Sequence, residues 1–413
     1  MVGDGIVHLK AFWPTIADSR FKVTLALVAL IAVAAQFFWQ GRAGFDFGDE
    51  GFLWYGAQRI LVGDVPIRDF MSYDPGRYYF SSVLMLMTGD NGIMSLRFGS
   101  AVFQMAGLFV GLSLIARSQP GGGNENLAFL FASALVLLVW MFPRHKLFDI
   151  SLSLFLVGIL TYWLAAPRPG RYFIAGFCIG LIAVFGRNHG VYGVAASLSA
   201  MIWLVLGPSA QTRAELARGM LLWTAGVAAG FFPILLMLLL IPDFASAFFE
   251  SIQFLFQQKA TNLPLPIPWP WNVDFASASL FDSARGVLIG AFFVGLILFG
   301  VLGMSWVFYA RLKGRPVAPA LAASIFLTLP YAHFAFSRAD VNHLAQGIFP
   351  MLVGLLVLLA GHGRQFRWPL AGTLFGASFW VMLVVHPGWQ CRVKDKCVDI
   401  DVSGSKLQVV APA

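Results

Sequence analysis

Charge is scarce in this chain of 413 residues: Asp, Glu, Lys and Arg together make up only 12% of it. A soluble globular domain carries about 25%. Hydrophobic residues fill 58% of the positions and the mean hydropathy is +0.75. That balance excludes a soluble enzyme and describes a polytopic membrane protein, with 40 Phe and 13 Trp suited to lipid-facing helices and interfacial belts. Acids are the scarcer sign, 20 against 28 Lys and Arg. The net charge of +8 is not a nucleic-acid footprint, because the basic residues are scattered singly among polar loops. They set orientation and meet anionic lipid instead. Cysteine is nearly absent. Cys178 lies inside an apolar run and reads as packing, whereas Cys391 and Cys397 share a short polar stretch after the last apolar run. Such a pair suggests a small disulfide loop in an oxidising compartment, with two free thiols as the alternative. Internal repeats, low-complexity tracts and an evident soluble domain are all missing.

Apolar runs of transmembrane length, about 20 residues each, fall near 21–40, 93–116, 126–143, 147–166, 173–188, 190–207, 219–241, 286–310, 317–336, 344–361 and 369–386. Ala32-Val33-Ala34-Ala35 looks like a signal-peptidase site, but the apolar run continues through Phe37, Phe38 and Trp39, as in an uncleaved anchor. The short run from Tyr78 to Met87 is the ambiguous one. If it does not cross and the N-terminus is cytoplasmic, Arg117, Arg168, Arg171, Arg213, Arg218, Arg311, Lys313, Arg315, Arg364 and Arg367 all fall inside. Crossing would put them outside, against the positive-inside rule. The expected architecture is therefore an all-α bundle of about eleven spans, N-terminus cytoplasmic and C-terminus outside. The same topology puts Cys391 and Cys397 on the oxidising side.

The membrane domain covers 1–386, with a short outer tail from Pro387 to Ala413 that reads as too short for a core and as the possible beginning of a larger outer domain. Two outer loops, 41–92 and 241–285, are long enough for juxtamembrane helices. In the first, a short helix is expected from Asp49 to Leu61, with Asp49 as N-cap and Gly63 as stop. The other opens with Phe244, Phe248, Phe249, Ile252, Leu255 and Phe256 at helical spacing, opposite Glu250, Gln253 and Gln257, as in an interfacial helix. It continues as Leu263-Pro264-Leu265-Pro266-Ile267-Pro268-Trp269-Pro270-Trp271, an extended segment.

The first outer loop also holds the rarest feature, Phe45-Asp46-Phe47-Gly48-Asp49-Glu50, three carboxylates at the end of the first span. Acids at a bilayer surface are costly unless they bind or react. By the same topology Asp149, Arg187 with His189, and Arg338 with Asp340 and His343 reach the outer helix ends. Carboxylates from one region and cations from others suit transfer from a phosphate-linked donor. A carboxylate removes the acceptor proton, and Arg, Lys or His stabilises the departing phosphate. Structural readings stand beside these: Asp49 as a helix cap, Arg187 and His189 as helix-end donors, Arg338 with Asp340 as a wet ion pair, and His145 with Lys146 as headgroup contacts.

Several short motifs resemble the GT-C superfamily of membrane glycosyltransferases, which includes protein O-mannosyltransferases and the lipid A aminoarabinose transferase. They are Asp49-Glu50, the Gly63-Asp64-Val65-Pro66 turn, Pro75-Gly76-Arg77-Tyr78-Tyr79, the span led by Arg97 with Gly99, Ser100 and Ala101, and Asp149 after a later helix. The resemblance covers nearly the whole membrane part. It implies transfer of a sugar from a polyprenyl-phosphate donor to a glycan, lipid or protein acceptor, at the outer face of a bacterial inner membrane. Asp49 would be the base of an inverting displacement, Glu50 its support, and Asp149 an orienting group. Arg187, His189, Arg338, His343, Arg77 and Lys146 would serve the carrier phosphate. Relatives often place a Lys where this chain has Arg187-Asn188-His189, and Asp46 and Asp74 compete for the base role. The sequence establishes no cofactor; a divalent metal held by Asp46, Asp49 and Asp149 is an option that no spacing compels.

A transporter or flippase is the main competing reading. It would show ionisable residues at mid-membrane and broken helices in matched halves, whereas here the charges gather at one face. A polymerase or ligase of lipid-linked glycans would concentrate cations in a late loop, and 241–285 has only Lys259 and Arg285. A structural subunit leaves the acidic cluster unexplained.

Overall fold

A computed structural model describes residues 17–119, 124–208, 210–257, 265–276, 278–393 and 397–410. Lys259, Leu263 and Pro264 lie outside the described residues. The chain is almost entirely helical: α1 (Ala17–Gln40), α2 (Asp49–Leu61), α3 (Pro75–Thr88), α4 (Ile93–Arg117), α5 (Asn124–Trp140), α6 (Leu147–Ala165), α7 (Pro169–Phe185) and α8 (Arg187–Leu204) come first. Then follow α9 (Arg213–Gly230), α10 (Phe232–Leu240), α11 (Phe244–Gln257), α12 (Leu280–Leu312), α13 (Pro319–Ser337), α14 (Val341–Gly347), α15 (Phe349–Ala360) and α16 (Arg364–Met382).

Each of the eleven apolar runs forms a helix or a bent helix pair. Six helices are long and apolar enough to cross a membrane alone, and two pairs qualify as broken spans, α9–α10 bent by 55° and α14–α15 by 58°. Both breaks have the same cause. Pro233 and Pro350 stand at the second position of α10 and α15, where the missing N–H interrupts the helical ladder. Helix α3 is only 14 residues, roughly 21 Å at 1.5 Å per residue, too short to span.

Helix α6 is the axis of the bundle, with Leu147, Ile150, Leu154, Val157, Leu160 and Trp163 all in the main core, against α4, α8, α13 and α15. Helices α7 and α9 approach through two small-residue faces. Gly176 and Gly180 oppose Gly226 and Gly230, and a Cβ at any of the four would run into partner backbone. In lipid, where apolar side chains gain little by leaving hydrocarbon, such close packing holds helices together.

At the end of the bundle bearing α2, α3 and α11, Leu53, Ala57 and Tyr78 form a second small core. Gly63, at φ +96°, turns the chain out of α2 in a conformation that favours glycine. The tail departs from expectation. It folds into a hairpin, β1 (Cys397–Val402) and β2 (Ser405–Val410), with Ser403 and Gly404 both at positive φ, as a two-residue I′ turn requires. Leu407 completes the core beneath α2 and α3. Across the other edge of β2, the Gly44 N–H donates to the Gln408 carbonyl at 2.6 Å and the Gln408 N–H to the Arg42 carbonyl at 2.8 Å. A disulfide joins Cys391 to Cys397 at the root of the hairpin.

Candidate active site

The acids of the first loop separate into different environments. Helix α2 starts after Gly48, which makes no side-chain cap. The capping role expected of Asp49 falls to Asp46, whose Oδ1 accepts from the Asp49 N–H at 2.9 Å. The Asp49 side chain is thereby free, about half exposed, and stands 3.3 Å from His145 Nε2. Glu50 is 3% exposed and held by Arg97 through both oxygens, with Arg144 Nε 3.5 Å away. Burial alone would raise the Glu50 carboxyl, but Arg144 and then Arg97 outweigh it and hold it below the usual carboxylate range. Arg97 also donates to the Gly41 and Gly44 carbonyls at 2.7 Å each, and Arg144 to those of Gln40, Ala43 and Gly44. Glu50, expected to support the base, is instead the anchor that ties the first loop to the bundle.

Asp149 has a similar fate. It opens α6, is 5% exposed, and accepts from Arg77 Nη2 at 2.9 Å and Nη1 at 3.3 Å and contacts His189 Nε2 at 2.9 Å. Arg77 donates further to the Phe185 carbonyl at 3.0 and 2.8 Å. Burial would lower the Arg77 guanidinium, but Asp149 more than compensates and raises it. His189 Nδ1 meets the Tyr331 hydroxyl at 2.5 Å. These groups form a closed network across α3, α6, α8 and α13.

A cavity of about 950 Å³ opens beside that network. Its walls come from the 67–74 segment, the starts of α3, α6 and α8, and the polar face of α11. Arg187 reaches it but is paired with Asp74, whose Oδ2 also accepts the Arg187 N–H at 2.8 Å; Nη1 donates to Ser251 at 2.9 Å. Arg68 is paired with Asp69 at 2.8 Å, and that carboxyl is drawn down to about 2, chiefly by its hydrogen bond to Arg68. Among the described residues, Lys146 is the one cation lining the cavity without an ion-pair partner. Its Nζ donates to the Tyr73 hydroxyl at 3.2 Å and lies 4.7 Å from the centre of that ring. Unlike the other cations there, its charge has no carboxylate within ion-pair distance among the described residues.

Arg338 and His343 do not line this cavity. Both are engaged by Asp340, at 3.1 and 2.9 Å, and Asp340 caps α14 by accepting the His343 N–H. The possible metal set changes in the same way. Asp46 and Asp49 join His145, not Asp149, with ligand atoms all within 4.8 Å of one another. Two carboxylates and an imidazole so placed fit a divalent cation. His145, read as a headgroup contact, is 8% exposed and belongs to this group. Tyr73 was missed altogether. Its only sequence signal is its place immediately before Asp74-Pro75, where a loop enters α3.

No family model and no curated protein matches the chain. Solved structures do. The architecture is that of the GT-C fold, a polytopic all-α membrane fold. The crystal structure of ArnT from Cupriavidus metallidurans in the apo state superposes with a TM-score of 0.51 at 15% identity, over 86% of this chain and 62% of that one. The oligosaccharyltransferase of Archaeoglobus fulgidus, in its apo form, matches at 0.44 and 14% identity, over 91% of this chain and 56% of that one. The chain thus spans less than two thirds of the length of either. At such identities the likeness concerns the fold alone.

Proposed function

We propose that this protein is a glycosyltransferase that takes a sugar from a polyprenyl-phosphate donor and passes it to a hydroxyl of a glycan, lipid or protein. The observation that carries the reading is the pairing of an unneutralised Lys146 in the cavity with an accessible Asp49 beside it. The GT-C fold is consistent with it. In the reaction, Asp49 accepts the proton of the acceptor hydroxyl as that oxygen attacks the anomeric carbon. The bond from that carbon to the phosphate oxygen breaks on the opposite face, so configuration inverts. The electron pair leaves on the polyprenyl phosphate, where Lys146 stabilises it. Arg187, held by Asp74 at the cavity wall, adds positive potential, and Asp149 with Arg77 and His189 shapes the floor. The loop-rich end faces outward in this reading, with the basic loops in the cytoplasm.

The test is transfer from labelled polyprenyl-phosphate sugars in membranes containing wild type, Asp49→Asn or Lys146→Met. Loss of a positioned base costs about 10²–10⁴-fold, so Asp49→Asn should be nearly silent. Undiminished transfer by that variant would remove Asp49 from the mechanism.

A further inference from the structure

Asp49 does not line the cavity that holds Lys146; Tyr73 stands between them. The Tyr73 hydroxyl accepts from Lys146 Nζ at 3.2 Å and lies 3.5 Å from Asp49 Oδ1. The ring is held from several sides. Arg77 sits 5.0 Å from its centre, Phe52 meets it edge-on at 5.4 Å, and the Tyr73 N–H donates to the buried Tyr78 hydroxyl at 3.0 Å. Few side chains can do what this placement asks. A phenol accepts from an ammonium while donating its own O–H to a carboxylate, and its face attracts the same cation. Lys146 spends one of its three N–H donors on the phenol and keeps two for phosphate oxygens. The other Asp49 oxygen, Oδ2, stands 3.3 Å from His145 Nε2 and keeps a further lone pair for the acceptor proton.

We infer that Tyr73 is a positioning residue that sets the phosphate-binding Lys146 in register with the base Asp49, an inference that rests on the proposed transfer. No proton leaves Tyr73. It fixes the distance between the cation that receives the leaving group and the carboxylate that receives the acceptor proton. Attack and departure must occur on opposite faces of one carbon, so that distance governs the rate as well as donor binding.

Tyr73→Phe keeps the ring and its packing and deletes only the bridge. The experiment measures farnesyl phosphate binding to the full chain in detergent by calorimetry, for wild type, Tyr73→Phe, Lys146→Met and the double variant. A hydrogen bond to a charged group corresponds to about tenfold, so Lys146→Met should weaken binding at least about tenfold and Tyr73→Phe about three- to tenfold. In the Lys146→Met background, Tyr73→Phe should change nothing further. Full affinity in Lys146→Met would overturn the phosphate reading itself. Weak binding by Lys146→Met together with wild-type affinity in Tyr73→Phe, or with losses that simply multiply, would overturn the role of Tyr73 alone. Transfer supplies the second arm. At saturating labelled donor, kcat of Tyr73→Phe should stay about tenfold low, because the base is out of register; recovery to the wild-type kcat would break the link to Asp49.

Discussion

Arg97 grips Glu50 through both carboxylate oxygens, Nε to Oε1 at 2.8 Å and Nη2 to Oε2 at 2.7 Å. The preceding residue, Asp49, is about half exposed and accepts nothing stronger than the approach of His145 at 3.3 Å. Adjacent acids on one helical turn therefore serve opposite purposes.

Neutralising the first should cost stability, and neutralising the second should cost activity. Glu50→Gln leaves Arg97 and Arg144 uncompensated in a buried site, a loss of about 3–5 kcal/mol. Asp49→Asn removes a solvated charge and should shift unfolding by less than about 0.5 kcal/mol. Thermal unfolding in detergent checks both, and equal destabilisation by the two would contradict the division.

The disulfide should act on the first loop, not only on the tail. Cys391 and Cys397 close the root of the hairpin, and β2 binds the 42–44 backbone directly. Replacing both cysteines with serine should speed hydrogen exchange at Gly44 and Gln408 by about tenfold or more, since local opening no longer begins from a tethered state. Unchanged exchange there would mean that Leu407 and the two arginines suffice.

His386 predicts an acid-labile joint between α1 and α16. It is 1% exposed; its Nε2 lies 2.8 Å from the Val139 carbonyl, and its Nδ1 meets the Gln40 amide, Nε2 at 3.0 Å and Oε1 at 3.2 Å. Burial pulls its pKa down to about 4 from an ordinary 6.5. The unfolded chain therefore binds the proton more readily between those values. The stabilising contribution is complete above about 6.5 and is lost as pH falls toward about 4. The melting temperature should drop across that window, and His386→Gln should make the drop shallower while lowering the plateau at neutral pH; buried His145, shifted to about 4 as well, contributes the rest.

Orientation can be read by single cysteines labelled with an impermeant maleimide, after Cys178 is replaced. A cysteine at Ser337 should react from outside intact cells and one at Arg117 only after permeabilisation. External labelling at Arg117 would invert the arrangement proposed for the loops.

Much of the architecture was legible because a bilayer leaves few choices. Backbone groups in hydrocarbon must be satisfied within the segment, so long apolar runs become helices, and every run from 21–40 to 369–386 did. The short α3 and the amphipathic α11 were legible from length and from the one-sided distribution of Phe. Less was legible in the tail. Its Asp401-Val402-Ser403-Gly404 turn carries a hairpin signal, but its value depends on Leu407 finding the pocket between α2 and α3, which sequence distance conceals.

The site shows the same division more sharply. Composition and hydropathy alone required a polytopic helical membrane protein, with scarce charges gathered at helix ends, because lipid penalises them elsewhere. Which of those charges are spent on one another depends on side chains 40 to 113 residues apart in the chain. Asp149 is consumed by Arg77 and His189, Arg187 by Asp74, and Glu50 by Arg97, while Lys146 and Asp49 remain available. Ion pairing is a matter of a few ångströms between helices, and only the packed bundle sets those distances.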